Sequence, residues 1–438
     1  MFPVKAITLK GRLLVGLLKA FGKLLHLING KKWQHPKSGF EENPATMTMG
    51  EVMYFGYKYY YKPHQTAEPN TGLEEYFKNQ DLDFTPPADF IIENEITLSA
   101  GGDLMPYKVI TEQSTKHLWD EVGDFFFNSD IVFANLETPI DLTRKPNTVP
   151  EVMLNDMHFN GSEELFQIFS GNGKHKGYDV LSTANNHSLD MGEKGIINTL
   201  NFLKDKKVAH VGTARSEEEQ ENFPIVDRQG IKVAFLAYTY SMNKFLPIKG
   251  KEYMTNYIRL NQAEPDISLI IEQAKKAKQR GADIIVCSLH TGNAYQAYSL
   301  QQTVNVFHEV FNKAGVDVIL GGHPHNAQPM EKYSFTCPYT NTPKNGFAIY
   351  SLADFVAYDI FTWCKMPIIL KLKIAKGKQA NKEQTVISGL DVMPIYNYGI
   401  YNKGQFEMRF LRLMDNKVRT MNEEAELLWG FAEKILNK

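Results

Sequence analysis

The sequence contains little cysteine and almost no net charge. Three cysteines occur in 438 residues, Cys287, Cys337 and Cys364, and no two of them form a CxxC pair. A thiolate zinc site or a redox dithiol is therefore not expected, and the low, odd count favours a reducing compartment. Lysine and arginine total 48 against 50 aspartates and glutamates, which gives a net charge of −2. We therefore expect no nucleic-acid partner attracted by the field of the whole chain.

The chain also lacks an uninterrupted apolar run of about 18 residues, so the sequence predicts no transmembrane span. The apolar stretch that begins at Leu13 is broken by Lys19 and Lys23, and no small-residue cleavage site follows it. The sequence therefore predicts no signal peptide. The predicted location is the cytoplasm or the periphery of a membrane.

Residues 1–32 have the pattern of a basic amphipathic helix. Apolar side chains recur there at helical spacing, and no acidic residue precedes Glu41. Two interpretations stay open: the helix packs on the protein's own core, or it contacts an anionic membrane surface through residues 10–32. The apolar residues are Leu13, Leu14, Leu17, Leu18, Phe21, Leu24, Leu25 and Ile28, and the basic ones are Lys10, Arg12, Lys19, Lys23, Lys31 and Lys32.

We expect four segments: the helix of residues 1–32, an extension over 33–93, an α/β domain over 94–414, and a C-terminal helix over 415–438. Within the extension, the aromatic tract of residues 54–61 is expected to pack in the core. In the third segment, short β-branched runs alternate with helical stretches, which indicates an α/β fold with parallel strand pairs. The predicted strands are Ile96–Ser99, Ile131–Ala134, Val180–Thr183, Val233–Tyr238, Ile284–Ser288, Val318–Leu320 and Phe347–Tyr350, and the predicted helices are Glu163–Phe169, Gly192–Lys204, Asp266–Arg280 and Gln301–Ala314.

Nearly every apolar run ends in a polar residue of a metal-binding type. Ligand sites in α/β sheets lie outside the carboxyl ends of the strands, so we expect these residues to form one site. Two carboxylates, one amide oxygen and three imidazoles suit Mn²⁺, Fe²⁺ or Zn²⁺. Six ligands are too many for one tetrahedral ion but enough for two ions about 3.5–4 Å apart, which clamp a phosphoryl group. The six candidates are Asp103, Glu137, Asn186, His290, His323 and His325.

The order of these motifs is similar to that of a known family. Gly-Asp, Asn-Leu-Glu, Asn-Asn-His-x-x-Asp-x-Gly, a lone His and Gly-His-x-His follow one another. This order resembles the bacterial poly-γ-glutamate capsule synthesis proteins, the CapA-like proteins. That family looks like a branch of the calcineurin-like metallophosphoesterases. The resemblance covers about residues 94–414, and it implies a four-layer αββα sandwich.

The resemblance also implies roles for single residues. Asp103 and His325 would bind the first metal, Glu137 would bridge, and Asn186, His290 and His323 would complete the second site. His187 would be the general acid near the leaving group. Asp190 would orient His187, although Asp190 with Glu193 also matches a helix capping box. Asn135 and Asn185 are expected on the substrate side. Because Asn135 faces the same side of its strand as Glu137, it could position either Glu137 or the substrate.

The sequence departs from the family pattern at three places. Met105 stands where the superfamily usually has a metal-binding histidine. An acid is missing after His290, where residues 291–295 read Thr-Gly-Asn-Ala-Tyr. The late motif, usually Ser-Leu-Gly-Asn-Phe, reads Ser-Leu-Ala-Asp-Phe at residues 351–355. We therefore expect the fold to be retained, with few protein ligands at the first metal and an altered pocket.

Three functions stay open. The first is a metal-dependent hydrolase of the phosphoesterase type, in which two metal ions stabilise the transferring group and His187 protonates the leaving oxygen. The second is a hydrolase that uses the same metals on an amide-like bond of a glutamyl polymer. Both imply an anionic substrate. The third is a non-enzymatic accessory protein of a membrane-associated assembly for polymer synthesis or export.

Overall fold

A computed structural model describes residues 6–37, 39–154, 158–402 and 404–436. Residues 1–5 of the predicted N-terminal helix and 437–438 of the predicted C-terminal one lie outside these ranges. In chain order the strands are β1 (Ile91–Leu104), β2 (Ile131–Leu136), β3 (Val180–Ser182), β4 (Ala209–Val211), β5 (Ile225–Arg228), β6 (Ile231–Thr239), β7 (Ile284–His290), β8 (Val318–Gly322), β9 (Met330–Thr336), β10 (Pro343–Ile349), β11 (Asp354–Val356), β12 (Ile368–Gln379), β13 (Lys382–Asn402) and β14 (Gln405–Arg412).

The helices lie before, between and after these strands. The last full turn of α9 continues into a π-helical turn, Val310–Ala314, and short 3₁₀ turns occur at Glu252–Met254 and Thr362–Lys365. The α-helices are α1 (Leu9–Asn29), α2 (Met49–Tyr60), α3 (Leu73–Lys78), α4 (Gly123–Phe127), α5 (Glu163–Phe169), α6 (Gly192–Asp205), α7 (Glu217–Glu221), α8 (Ser268–Gln279), α9 (Gln301–Glu309), α10 (Asn416–Arg419) and α11 (Glu423–Leu436).

The strands form two sheets. The first has the order β14-β13-β12-β1-β2-β3-β4, with β11 paired to the end of β1, and the second has the order β5-β6-β7-β8-β10-β9. Neighbours are parallel from β1 to β4 and from β6 through β7 and β8 to β10. Five of the seven predicted apolar runs lie inside these strands, and the other two extend one residue past β3 and β10, at Thr183 and Tyr350. The four predicted helices correspond to α5, α6, α8 and α9. The expected α/β architecture is confirmed.

The two sheets pack face to face, and helices cover both outer faces. Successive side chains of a strand point to opposite faces. On β2, Phe133 therefore faces the second sheet, where its ring stacks on Phe235 with 5.7 Å between the centroids. Val132 and Ala134 point the other way, into a cluster with residues of α4, α5 and α6. Helices α8 and α9 pack on the far side of the second sheet. The result is the expected αββα sandwich.

The segment before β1 packs on this sandwich. The aromatic tract of residues 54–61 belongs mostly to α2, and Tyr54, Tyr57, Tyr59 and Tyr60 are buried, as expected. Helix α1 lies against α2. At the other end of the chain, Phe431 of α11 stacks on Trp363 with 4.4 Å between the ring centroids. Among the described residues, no helix is long and apolar enough to cross a membrane.

Candidate metal centre

The candidate site lies where the carboxyl ends of parallel strands in the two sheets come together. In the first sheet, Asp103 of β1 is in register with Asn135 of β2 on one side and with Asp354 of β11 on the other. In the second sheet, His290 of β7 is in register with Gly322 of β8, directly before His323. The strand order therefore brings together side chains that are up to 251 residues apart in the sequence.

Two groups of buried ligand-type residues share the Asp103 carboxylate. One contains Asp103, His325 and Asp354, and the other contains Asp103, Glu137 and His290; within each group the donor atoms lie within 4.8 Å of one another. His290 Nε2 is 3.7 Å from Glu137 Oε1, and His290 Nδ1 is 3.9 Å from Asp103 Oδ1. The resemblance gives the bridging role to Glu137, whereas Asp103 is the residue common to both groups.

Several polar atoms at this site are buried without a partner. Both carboxylate oxygens of Glu137, Nδ1 of His323 and Oδ2 of Asp354 lack a hydrogen bond to any residue that the structure describes. Buried polar atoms are nearly always hydrogen-bonded in folded proteins, because leaving them unpaired costs free energy. These are oxygen and imidazole donors of the kind that divalent cations bind. The residues present therefore fit divalent metal ions.

The pKa values of the site residues are also consistent with bound cations. Burial, together with the Asp103 and Asp354 carboxylates, raises the pKa of Glu137 well above its usual range. Burial lowers the pKa of His290 to about 3. Burial also disfavours the charged form of His325, but Asp354, whose Oδ1 lies 2.8 Å from His325 Nδ1, outweighs it and raises the pKa of His325 to about 9. Bound cations would offset the repulsion between these carboxylates.

The hydrogen bonds around His323 fix which of its nitrogens can bind a metal. The Tyr240 hydroxyl donates to the Glu42 carbonyl at 2.9 Å and lies 2.8 Å from His323 Nε2. Burial raises the pKa of Tyr240 well above its usual range, so the hydroxyl keeps its single proton. Because the Glu42 carbonyl can only accept, both contacts are satisfied when this proton is donated to Glu42 and His323 Nε2–H donates to Tyr240. The lone pair of Nδ1, the unpartnered atom, is then available for a metal.

The loop that carries His323 and His325 is strained. Both histidines have left-handed backbone conformations, with φ of 91° and 63°. Such conformations cost about 1–3 kcal/mol each for a residue with a side chain and cluster at functional sites. A Cβ on Gly322, directly before them, would lie 3.0 Å from Asp103 Oδ1 and 3.2 Å from His290 Nδ1, closer than side-chain atoms normally approach. The backbone of this loop therefore adopts an unfavourable conformation to bring His323 and His325 close to Asp103 and His290.

The side-chain amides of the three predicted asparagines hydrogen-bond to the ligand-type residues or to one another. Asn186 Oδ1 lies 2.9 Å from His290 Nε2, which places it with the second group. Asn135 donates from Nδ2 to Asp103 Oδ1 at 2.8 Å, and Asn185 donates to Asn135 Oδ1 at 3.2 Å. Asn135 and Asn185, predicted on the substrate side, therefore form a chain of hydrogen bonds that ends on Asp103.

His187 is held firmly in place. Its Nδ1 lies 2.7 Å from Asp190 Oδ2, and its ring stacks on Phe159 with 3.8 Å between the centroids and 16° between the planes. Helix α6 is preceded by Met191 and has no side-chain cap. The capping-box interpretation of Asp190 is therefore wrong, because its carboxylate contacts His187. This arrangement leaves His187 Nε2 as the nitrogen that can exchange a proton with a substrate.

Asp354 is a residue that the sequence reasoning missed. It lies in the altered late motif, and Met105 removes the histidine expected in the first group. Asp354 adds a carboxylate to that group through its register with Asp103. Ala353, where the family usually has glycine, has φ of 66°, a conformation that glycine adopts without strain. The sequence did contain one signal for Asp354, which is an acidic residue four positions after the apolar run Phe347–Tyr350.

Glu42 and Lys58 were also missed, and both come from the N-terminal extension. The fully buried Lys58 ammonium lies 2.5 Å from Glu42 Oε2. Glu42 Oε1 accepts a hydrogen bond from the Ala294 N–H at 2.6 Å. The loop after His290, where the family's acid is missing, therefore binds an acid from the extension. No local signal in the sequence indicates a contact across 252 residues.

Comparisons with known proteins bear on the family. The family model of the bacterial capsule synthesis protein PGA_cap matches residues 97–359. The capsule biosynthesis protein CapA of Bacillus anthracis is 29% identical over 272 residues, 60% of this chain and 60% of that protein. The PGA biosynthesis protein CapA of Bacillus subtilis (strain 168) is 24% identical over 318 residues, 71% of this chain and 76% of that protein. The match thus spans less than two thirds of the B. anthracis protein.

Similarity to solved structures is lower. The calcineurin-like phosphoesterase YfkN from Bacillus subtilis has a TM-score of 0.36 and 14% identity, covering 76% of this chain and 99% of that one. A hypothetical protein from Thermus thermophilus has a TM-score of 0.35 and 11% identity, covering 68% and 99%. The family model, in contrast, matches more than half of the chain, including the site residues from Asp103 to Asp354. The protein belongs to the family of the bacterial capsule synthesis protein PGA_cap.

Proposed function

We propose that the chain is a metal-dependent hydrolase of the phosphoesterase type, with two divalent ions of manganese, iron or zinc. The observation that carries this proposal is the Glu137 carboxylate. It is fully buried, neither of its oxygens has a hydrogen-bond partner among the described residues, and it lies in one group with Asp103 and His290. A carboxylate in such a place is stabilised by a cation and destabilised without one.

The proposal assigns the metal ligands as follows. Asp103, which belongs to both groups, would hold one ion with His325 and Asp354, and Glu137, Asn186, His290 and His323 would hold the other. When bound, two such ions supply Lewis-acid polarisation and charge neutralisation for a transferring phosphoryl group. The assignment of Asp354 is supported by its register beside Asp103 and by its unpartnered Oδ2.

His187 is the proposed general acid. In hydrolysis, the oxygen of water bonds to phosphorus, the bond from phosphorus to the ester oxygen breaks, and the leaving oxygen gains a proton. His187 Nε2 would deliver that proton, while Asp190 holds the Nδ1 side and Phe159 fixes the ring plane. Asp190 is then a positioning residue, since it acts through His187.

The relatives support a setting in capsule or PGA biosynthesis, because their names place them there. A pair of divalent ions would favour an anionic substrate, either a phosphoester or a glutamyl polymer. The phosphoester is our first choice because two metal ions held by histidine and carboxylate suit the clamping of a phosphoryl group.

The test is turnover of a chromogenic phosphodiester by metal-loaded protein. We expect hydrolysis by the wild type and a loss of about 10²–10⁴-fold in kcat for His187→Ala, the range for a missing general acid. Metal content should stay unchanged in that variant. His117→Ala is the matched control, because His117 is half-exposed and contacts Asp120; its activity should equal that of the wild type.

Other outcomes would select the other two functions. Hydrolysis of a glutamyl polymer without hydrolysis of any phosphoester would favour the amide hydrolase. Metal binding without turnover of either substrate class, with stable association with a membrane assembly, would favour the accessory protein.

A further inference from the structure

Helix α1 uses only a narrow stripe to pack on the protein. Gly11, Val15, Gly22 and Leu25 are its buried residues, and spacings of four, seven and three positions place them on one side of the helix. Helix α1 contacts α2, and a Cβ on Gly22 would overlap the side chain of Tyr61, directly after α2. The interpretation that the helix packs on its own protein therefore holds for this stripe.

Most of the large apolar residues of α1 lie on another face. At about 100° per residue, they fall within an arc of about 120° that excludes the buried stripe. Their exposed fractions run from 52% to 76%, so the residues that the structure describes leave this face open. The residues are Leu9, Leu13, Leu17, Phe21, Leu24, Leu27 and Ile28.

The charged side chains of this helix all have the same sign. The helix contains no aspartate or glutamate. Lys10 lies within the apolar arc, Arg12 and Lys23 lie beside it, and Lys31 and Lys32 follow the C-terminus of the helix; all five are exposed. Arg12 also donates to the backbone carbonyls of its own N-terminal segment, which keeps it close to the helix.

We propose that the exposed face of α1 binds the surface of an anionic lipid bilayer, with the helix lying in the plane of the membrane. An apolar face bordered by lysine and arginine is suited to the boundary between acyl chains and anionic headgroups. A second copy of the chain fits less well, because pairing two such faces would bring basic residues together with no acid in either helix. The α1 side chains in this proposal are separate from those of the metal centre, so it stands independently of the catalytic proposal.

The test uses the full-length protein and vesicle sedimentation. Vesicles of phosphatidylcholine alone are compared with vesicles of equal parts phosphatidylcholine and phosphatidylglycerol. We expect a partition coefficient at least about tenfold higher for the anionic vesicles, falling as NaCl screens the charges.

Two variants examine the two components of the face. Leu17→Glu with Leu24→Glu, in the middle of the apolar arc, should lower binding at least about tenfold. Leu142→Glu is the matched control, because Leu142 is 54% exposed and belongs to a different part of the molecule; it should bind like the wild type. Lys10→Gln with Lys23→Gln should weaken binding about fivefold for each charge removed.

Three results would overturn the proposal. The first is a wild-type protein that does not bind anionic vesicles or binds neutral ones equally well. The second is a Leu17/Leu24 variant that binds as tightly as the wild type, with an unchanged melting temperature. The third is a dimer that the same variant dissociates while no vesicle binding occurs, since the face would then bind a second copy.

Discussion

Removal of the Tyr240 hydroxyl examines the hydrogen bonds behind one metal ligand. In Tyr240→Phe the ring remains in place, but its hydroxyl no longer links His323 Nε2 at 2.8 Å to the Glu42 carbonyl at 2.9 Å. His323 then has no partner to hold its proton on Nε2. The proton can move to Nδ1, which is the nitrogen needed for the metal.

The expected size of the effects of Tyr240→Phe follows from the burial of Tyr240 and His323. Tyr240 and His323 are both at most 5% exposed, so water does not easily replace the hydroxyl. A buried polar group left unpaired costs about 1–3 kcal/mol, and loss of an outer partner of a metal-bound histidine typically lowers metal affinity about 10–100-fold. We expect Tyr240→Phe to lower the affinity of the second metal by that factor and to lower the free energy of unfolding by about 1–3 kcal/mol.

The assay is a calorimetric titration of metal-free protein with Mn²⁺, alongside unfolding in urea. Tyr238→Phe is the matched control, because Tyr238 lies two residues earlier, is fully buried, and donates to Gln273 Oε1 at 2.6 Å. It should lose similar stability and keep wild-type Mn²⁺ affinity. Equal affinity in Tyr240→Phe and the wild type would refute the reasoning about the His323 tautomer.

Three further predictions concern proton release on metal binding, the buried Lys58–Glu42 ion pair, and the close contacts at Gly322. Metal binding at pH 7 should release protons, because the pKa of His325 is raised to about 9 and that of Glu137 is raised as well, so metal affinity should rise with pH. Calorimetry in buffers of different ionisation enthalpy measures this release, and its absence would contradict the ligand assignment. Lys58→Met should lower the free energy of unfolding in urea by about 3–5 kcal/mol, since it leaves the buried Glu42 carboxylate unpaired; a loss below about 1 kcal/mol would argue against the buried pair. Gly322→Ala should fold but bind Mn²⁺ at least about tenfold more weakly in the same titration, because its Cβ crowds two ligands; wild-type affinity would contradict this.

Local patterns in the sequence were enough to predict the central part of the fold. The β-branched runs ended in ligand-type residues, and parallel strands place such ends at one edge. Asp103, Glu137, His290 and His325 therefore lie together, as expected from sequence alone. The order of the motifs supplied the family, which the family model confirms.

Contacts between distant segments could not be predicted in this way. Asp354 enters the site through β11, a strand of three residues that is too short for a periodicity signal. Glu42 and Tyr240 meet across 198 residues, and nothing near either residue indicates the contact. The buried stripe and the exposed apolar face of α1 could likewise not be distinguished in the sequence. Helical spacing alone does not show which apolar residues pack against the rest of the protein.

The metal content of the purified protein, determined by elemental mass spectrometry, tests the central claim most directly. It should be measured for the wild type and for Glu137→Ala and His323→Ala, with His117→Ala as the control. The account predicts about two equivalents of manganese, iron or zinc in the wild type and the control, and a loss of metal in both site variants. A wild-type protein that stays metal-free after incubation with all three metals would contradict it.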